Sequence, residues 1–218
     1  MRKTLFILFM LPLLCLSAQK VDDIFTFAAD GSIQTKPVYY NEVNFFWTEW
    51  LKLQDVSTAT FRTQDQTLYT IKLEKSTGEA DVENVFNKIE IKQNNLVIYS
   101  MINEDLWSHS ESSAGSTRLY EVISLSQTAS ALLFFGWPYG GDAPLLTIVV
   151  VNKGKAKMVF NRHCCILNYE DKKDTFSIIY SDQYQEYIDE NTPIPADNEL
   201  NKFKIWKSGG VLKFQQIQ

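Results

Sequence analysis

The sequence predicts a mainly β protein, an antiparallel sandwich or open barrel of hairpins with one short helix packed across it. Three observations carry that expectation. Short runs rich in β-branched and aromatic residues recur along the chain, turn-forming clusters punctuate them, and only one stretch has convincing helical periodicity. No repeat has a fixed period. The similar spacing of the hairpins keeps a small β-propeller-like fold as one alternative, and the helical stretch keeps an α+β fold as another.

The N-terminus reads as a leader rather than as part of the fold. Arg2 and Lys3 precede the apolar run Leu5 to Leu16, and Ser17-Ala18 supplies small residues before Gln19. A run of that length is too short for a stable bilayer-spanning helix and fits a signal peptide over residues 1–18. The expected destination is the periplasm, the cell surface or the medium. Cys15 offers a lipid anchor as the less favoured alternative, because Leu14 stands where such sites take a small residue. Residues 19–218 are then read as a single antiparallel β domain, a length within the usual range for one core. No second apolar run approaches membrane-spanning length.

From that point the elements follow in order. Asp30-Gly31 separates Ile24–Phe27 from Ile33–Thr35, a hairpin signal, and Pro37 ends the run. In Asn41–Gln54, Val43, Phe46, Trp47, Trp50 and Leu51 fall on one helical stripe with Asn41 as N-cap, so this is the expected helix. Residues 58–62 and 67–73 flank the polar Thr63–Gln66. Residues 89–91 and 96–99 flank Gln93-Asn94-Asn95, where Asn tolerates the positive φ of a tight turn. Ser76–Asn87 is polar, with room for one helical turn capped by Asp81, and His109–Thr117 reads as a loop. Leu119–Leu125 and Ala129–Phe135 pair around Ser126-Gln127-Thr128. Leu145–Val151 and Ala156–Phe160 pair over Asn152–Lys155, with a bend or exposed edge at Asn161-Arg162-His163. Thr175–Tyr180 alternates with Phe176, Ile178 and Tyr180 on one face. Asp182–Asp197 is acidic and irregular. The chain closes with a hairpin of Phe203–Trp206 and Val211–Phe214 around Ser208-Gly209-Gly210.

Composition excludes several function classes. The formal charge is −5, and −7 once Arg2 and Lys3 leave with the leader, which opposes a nucleic-acid partner because that affinity rests on cations neutralising phosphates. Cys164 and Cys165 are the remaining thiols and are adjacent. They read as two unpaired cysteines in a sheet, one buried and one outward, rather than as a strained vicinal disulfide. The histidines are His109, in a serine-rich loop, and His163, whose side chain should point away from Cys164. Neither makes a nucleophile–base pair, no Gly-x-Ser-x-Gly elbow is present, and no catalytic residue is assigned. No cofactor or metal is expected. The acidic tract of Asp182, Glu186, Asp189, Glu190, Asp197 and Glu199 lacks the spacing of a calcium loop.

One loop stands apart. Gly136-Trp137-Pro138-Tyr139-Gly140-Gly141-Asp142 joins sharp-bending glycines to a stiffening proline and presents two flat aromatics beside a carboxylate. Trp137, Tyr139 and Asp142 are therefore the candidate ligand-binding residues, suited to a sugar ring or an extended peptide. The competing reading is that Trp137 folds back to cap the core. The resulting expectation is a secreted, non-enzymatic binding or interaction module with a glycan or protein partner. The alternatives are a carboxylate-dependent secreted hydrolase and a structural or assembly component of the cell envelope.

Overall fold

A computed structural model describes residues 20–36, 52–77, 85–108, 119–136, 145–172, 175–182 and 200–217. Its strands are β1 (Asp22–Asp23), β2 (Phe25–Phe27), β3 (Ile33–Thr35), β4 (Leu53–Arg62), β5 (Leu68–Ser76), β6 (Val85–Gln93), β7 (Leu96–Ser108) and β8 (Glu121–Ser124). They continue with β9 (Ala129–Gly136), β10 (Leu145–Asn152), β11 (Lys155–His163), β12 (Cys165–Lys172), β13 (Thr175–Ser181), β14 (Lys202–Ser208) and β15 (Val211–Ile217). Every pairing is antiparallel. The mainly β, antiparallel expectation is met.

The five-stranded sheet runs β1-β15-β14-β13-β12 and the eight-stranded sheet β11-β10-β9-β7-β6-β5-β4, with β8 beside β9 and β2-β3 as a separate hairpin. The larger sheet does not act as one layer. Only Trp107 and Ser108 of β7 pair with β9, and the same edge of β9 then accepts β8 from Leu133 to Ser130. Beyond those two residues β7 parts from β9, and β5–β7 pack over the face of β9–β11. Two cores result. Ala131, Leu133, Phe135, Leu146, Ile148 and Val150 join Ile178, Tyr180, Ile205 and Leu212 of the five-stranded sheet. The intervening Leu132, Phe134, Leu145, Val149 and Val151 join Tyr69, Ile71, Leu73, Phe86, Ile89 and Ile91. Strand alternation thus feeds successive residues of β9 and β10 to opposite cores, and every residue of both strands is buried.

The turns form where expected and tighten further. Asn94 and Asn95 both have positive φ (50° and 64°), as do Lys153 and Gly154 (47° and 74°) and Gly209 and Gly210 (62° and 81°), the conformation of two-residue turns that match strand twist. The turn expected over Asn152–Lys155 is therefore two residues long, and its flanks belong to the strands. A bulge at Val159 lets Val159 and Phe160 both enter the first core while Met158 enters the second.

Two expectations need correction or lie elsewhere. No helix occurs among the described residues. Most of Asn41–Gln54 lies outside them, and Leu53 and Gln54 at its end are strand, fixed by pairing with Ser76 and Lys75. Asp81 and the helical turn expected around it lie outside the described residues, while Val85–Asn87 belong to β6. The bend expected near Asn161–His163 falls at Cys164. His163 pairs with Leu145 in one sheet and Cys165 with Ser181 in the other, so one residue carries the chain between sheets.

A buried hydrogen-bonded chain crosses between the strands of the second core. Trp107 Nε1 donates to Thr147 Oγ1 at 2.9 Å, and Thr147 Oγ1 donates to Asn161 Oδ1 at 2.5 Å, linking β7, β10 and β11. On the outer face of β4–β6 the ion pairs Asp55–Lys72 (2.8 Å), Lys72–Glu74 (2.8 Å), Glu74–Lys88 (2.5 Å) and Glu90–Lys92 (2.6 Å) form a ladder. Burial alone would raise the Glu74 pKa, but Lys72 and Lys88 outweigh it and hold it below the ordinary value.

Thr147→Val keeps the shape but orphans a buried donor and a buried acceptor. Each such group costs about 1–3 kcal/mol, so a fall of roughly 2–4 kcal/mol in urea-unfolding stability is expected; an unchanged midpoint at constant slope would refute the network's role. Glu74 has a depressed folded pKa, so its stabilising contribution is complete above the unfolded value of about 4.3. That contribution is lost as pH falls through the lower folded value. Glu74→Gln should therefore flatten the acid limb of the stability–pH curve below about pH 4.5, whereas parallel curves for the two proteins would assign the acid sensitivity elsewhere.

Candidate functional site

The two ends of the strands are built differently. At one end the short turns lock together. Asp65 N donates to Gln127 O (2.9 Å) and Gln64 Nε2 to Ser124 Oγ (2.9 Å), joining the β4–β5 and β8–β9 turns. Asn152 Nδ2 donates to Gly31 O (3.0 Å), Thr128 Oγ1 to Asn152 Oδ1 (2.8 Å) and Gly154 N to Tyr69 Oη (3.2 Å). Lys155 pairs with Asp30 at 2.6 Å, and this hydrogen bond, with those from Ser32, holds the Asp30 carboxyl well below the usual carboxylate range. A Cβ on Gly210 would meet Leu125 O and Ser126 Cβ at 3.8 and 4.0 Å, so the β14–β15 turn lies against the β8–β9 turn.

The longer connections attach at the opposite end. Residues 77–84 join β5 to β6, 109–120 join β7 to β8, 137–144 join β9 to β10, and 182–201 join β13 to β14. The strand ends that hold them are in register. Gly136 pairs with Leu145 and with Trp107, Leu145 pairs with His163, Phe135 and Val85 both pair with Ser108, and Ser181 pairs with Cys165 and Lys202. Beneath them lies a floor of packed aromatic rings. Trp107 is 0% exposed and sits 5.7 Å from Phe86 and 6.5 Å from Phe134, ring centre to ring centre. Phe135 meets Tyr169 edge-on at 6.2 Å on the other side of β9.

Trp137, Tyr139 and Asp142 lie outside the described residues, as do Trp47, Trp50 and His109. The frame that carries the first three is described, because Gly136 and Leu145 are its two posts. His163 is exposed while Cys164 is 1% exposed, so the two side chains face apart as strand geometry predicts. Both Cys164 and Cys165 are free thiols, with Cys165 half-buried. Burial, reinforced by Cys165 and opposed by Arg162, pushes the Cys164 thiol far up, which leaves it protonated and unreactive at neutral pH. Burial likewise raises the Tyr180 phenol. Of the acidic tract, Asp182 is described and exposed, and no group of three or more metal-ligating side chains converges among the described residues.

One feature escaped the sequence reading. Trp206 and Lys204 share the outward face of β14, with Lys204 Nζ 5.8 Å from the ring centre, while Phe203 and Ile205 face the core. The signal was available in the alternation Phe-Lys-Ile-Trp-Lys, but alternation marks a face without saying whether the other face is covered.

Comparison of the chain with models of known families, with curated proteins and with solved structures found no match in any of the three.

In the chain lacking residues 1–18, which removes Cys15, the native protein should consume one equivalent of a thiol reagent at Cys165. Cys164 should react only on unfolding, and Cys165→Ser should abolish native labelling. Equal native reactivity of both thiols would contradict the burial of Cys164.

Proposed function

We propose that the protein is an exported, non-enzymatic binding module whose contact surface is the loop-bearing end of the sandwich, with Trp137, Tyr139 and Asp142 as the residues that touch the ligand. The observation that carries this reading is the asymmetry between the ends. Turns at one end are minimal and tied to one another, which leaves little surface to vary. Connections at the other end are longer and spring from strand ends held in register, and binding residues commonly sit on loops carried by a rigid scaffold. The segment between Gly136 and Leu145 joins the two strands that are buried on both faces, so packing on each side holds its posts in place. Aromatic rings presented from such posts suit a glycan ring or an extended peptide. Export follows from the leader-like residues 1–18.

The test is a tryptophan-fluorescence titration with cellohexaose, maltohexaose and a panel of extended decapeptides, run on the native protein and on Trp137→Ala. A saturable change that disappears in a variant with unaltered thermal unfolding supports the loop as the ligand site. A response that the variant retains removes Trp137 from the site, and a marked loss of stability assigns Trp137 to the core instead.

A further inference from the structure

One edge of the larger sheet ends on a long strand. Among the described residues β4 pairs on one side only, with β5, and its other side closes the sheet. An edge strand leaves alternate N–H and C=O groups without ladder partners, and folded proteins blunt such edges with short strands, charges or bulges. Both end strands of the five-stranded sheet are treated in that way. β1 is two residues long, and β12 carries a bulge at Leu167 and the charged run Glu170-Asp171-Lys172. β4 is ten residues long and holds the uncharged stretch Val56–Phe61, with no proline or glycine.

The bulge in β4 makes the strand complementary to itself. Asp55 pairs with Glu74 and Ser57 with Leu73, so Val56 is an extra residue that shifts the alternation by one. Ser57, Ala59 and Phe61 stand opposite the core residues Leu73, Ile71 and Tyr69, whereas Asp55, Thr58, Thr60 and Arg62 are exposed on the other face. Counted along the ladder without Val56, Asp55 and Arg62 stand equally far on either side of Ala59. A second β4 laid antiparallel about a two-fold axis at Ala59 therefore sets Arg62 beside Asp55 twice and Thr60 beside Thr58 twice. On the core side it sets Phe61 beside Ser57 twice. Opposite charges and paired threonines are both cross-strand neighbours that stabilise a sheet. Asp55 holds Lys72 through Oδ1, and Arg62 Nη1 donates to Gln66 O. Asp55 Oδ2 and the other guanidinium N–H groups are left for the partner strand.

From this register we infer that β4 joins two copies of the chain into a two-fold dimer with one sheet running through both. The partner that offers this order of charges and threonines is β4 itself, and a two-fold contact requires that self-complementarity. Main-chain hydrogen bonds between the two edges supply the attraction, and the side-chain rows fix the register. The second core gains from the same contact. Val56 and Phe61 are half-buried at its rim, Phe61 stacked on Tyr69 at 5.2 Å, and a second copy of the strand covers both.

The experiment is sedimentation equilibrium of the full chain from about 1 μM to about 1 mM. A monomer–dimer equilibrium that stops at two copies is expected, because the contact is closed by its own symmetry. Arg62→Glu and Asp55→Arg each set like charges together twice and should weaken the dimer about tenfold. The double variant Asp55→Arg/Arg62→Glu restores both pairs in the reversed sense and should return the dissociation constant to within about threefold of the native value. Thr60→Lys places a cation on each side of the axis at an exposed position and should also weaken association. It serves as the variant that folds if a charge reversal is unstable. The inference is overturned if the chain stays monomeric throughout, if assembly continues past two copies, if the single variants associate as the native chain does, or if the double variant is no tighter than either single one.

Discussion

The burial of β9 and β10 on both faces is the constraint on which the rest of the structure depends. Leu132 and Phe134 belong to one core, Leu133 and Phe135 to the other, and the same division runs through β10. Apolar burial contributes about 25 cal/mol per Å2, and a strand that buries both faces needs a sheet on each side to collect it. The five-stranded sheet covers one side and the β5–β7 layer covers the other. Both layers therefore follow from the same two strands, and a change at their centre reaches both cores.

Polar groups are placed to fit that arrangement. Thr147 is the hydroxyl residue within the apolar run of β10, and it is tolerated because Trp107 donates to it and it donates to Asn161. A buried hydroxyl without partners would be costly, whereas a fully satisfied group also fixes how β7 lies against β10 and β11. That link matters because β7 is joined to β9 by only two residue pairs. Outside, the Asp55–Lys72–Glu74–Lys88 ladder gives the β4–β6 face a mutually neutralised surface. On the outer face of the five-stranded sheet Lys204 lies over the Trp206 ring and Lys213 pairs with Asp23.

Division of the strand ends completes the design. The interlocked turns rest on contacts between segments far apart in sequence, such as Asn152 with Gly31 and Gln64 with Ser124. Those contacts stiffen one end and leave the longer connections grouped at the other. Cys164 marks the crossing from β11 to β12 on this second end, and its burial keeps a potentially reactive thiol inert. The strand ends Gly136 and Leu145, between which the proposed contact residues lie in sequence, are thus set by the cores.

What the sequence by itself determined was local. Turn chemistry placed Asn94-Asn95 and Gly209-Gly210, because positive φ is a property of individual residues and their immediate neighbours. Alternation named the buried face of β13, and strand geometry separated the adjacent cysteines into one buried and one outward thiol, which the structure makes Cys164 and the half-buried Cys165. Candidate aromatics could be named in the loop after Gly136 because its composition is unusual. Tertiary structure decided everything that depends on which surface meets which. The apolar runs of β9 and β10 have no alternation to reveal two different cores, and the helical stripe ending at Gln54 carries no information about Leu53 and Gln54 pairing with β5. The switch of sheets at Cys164, the bulge at Val159 and the register that sets Trp206 beside Lys213 are likewise set by long-range packing. Local propensity specifies a strand and its turns, but the partner of each face is chosen by apolar area buried across the whole chain.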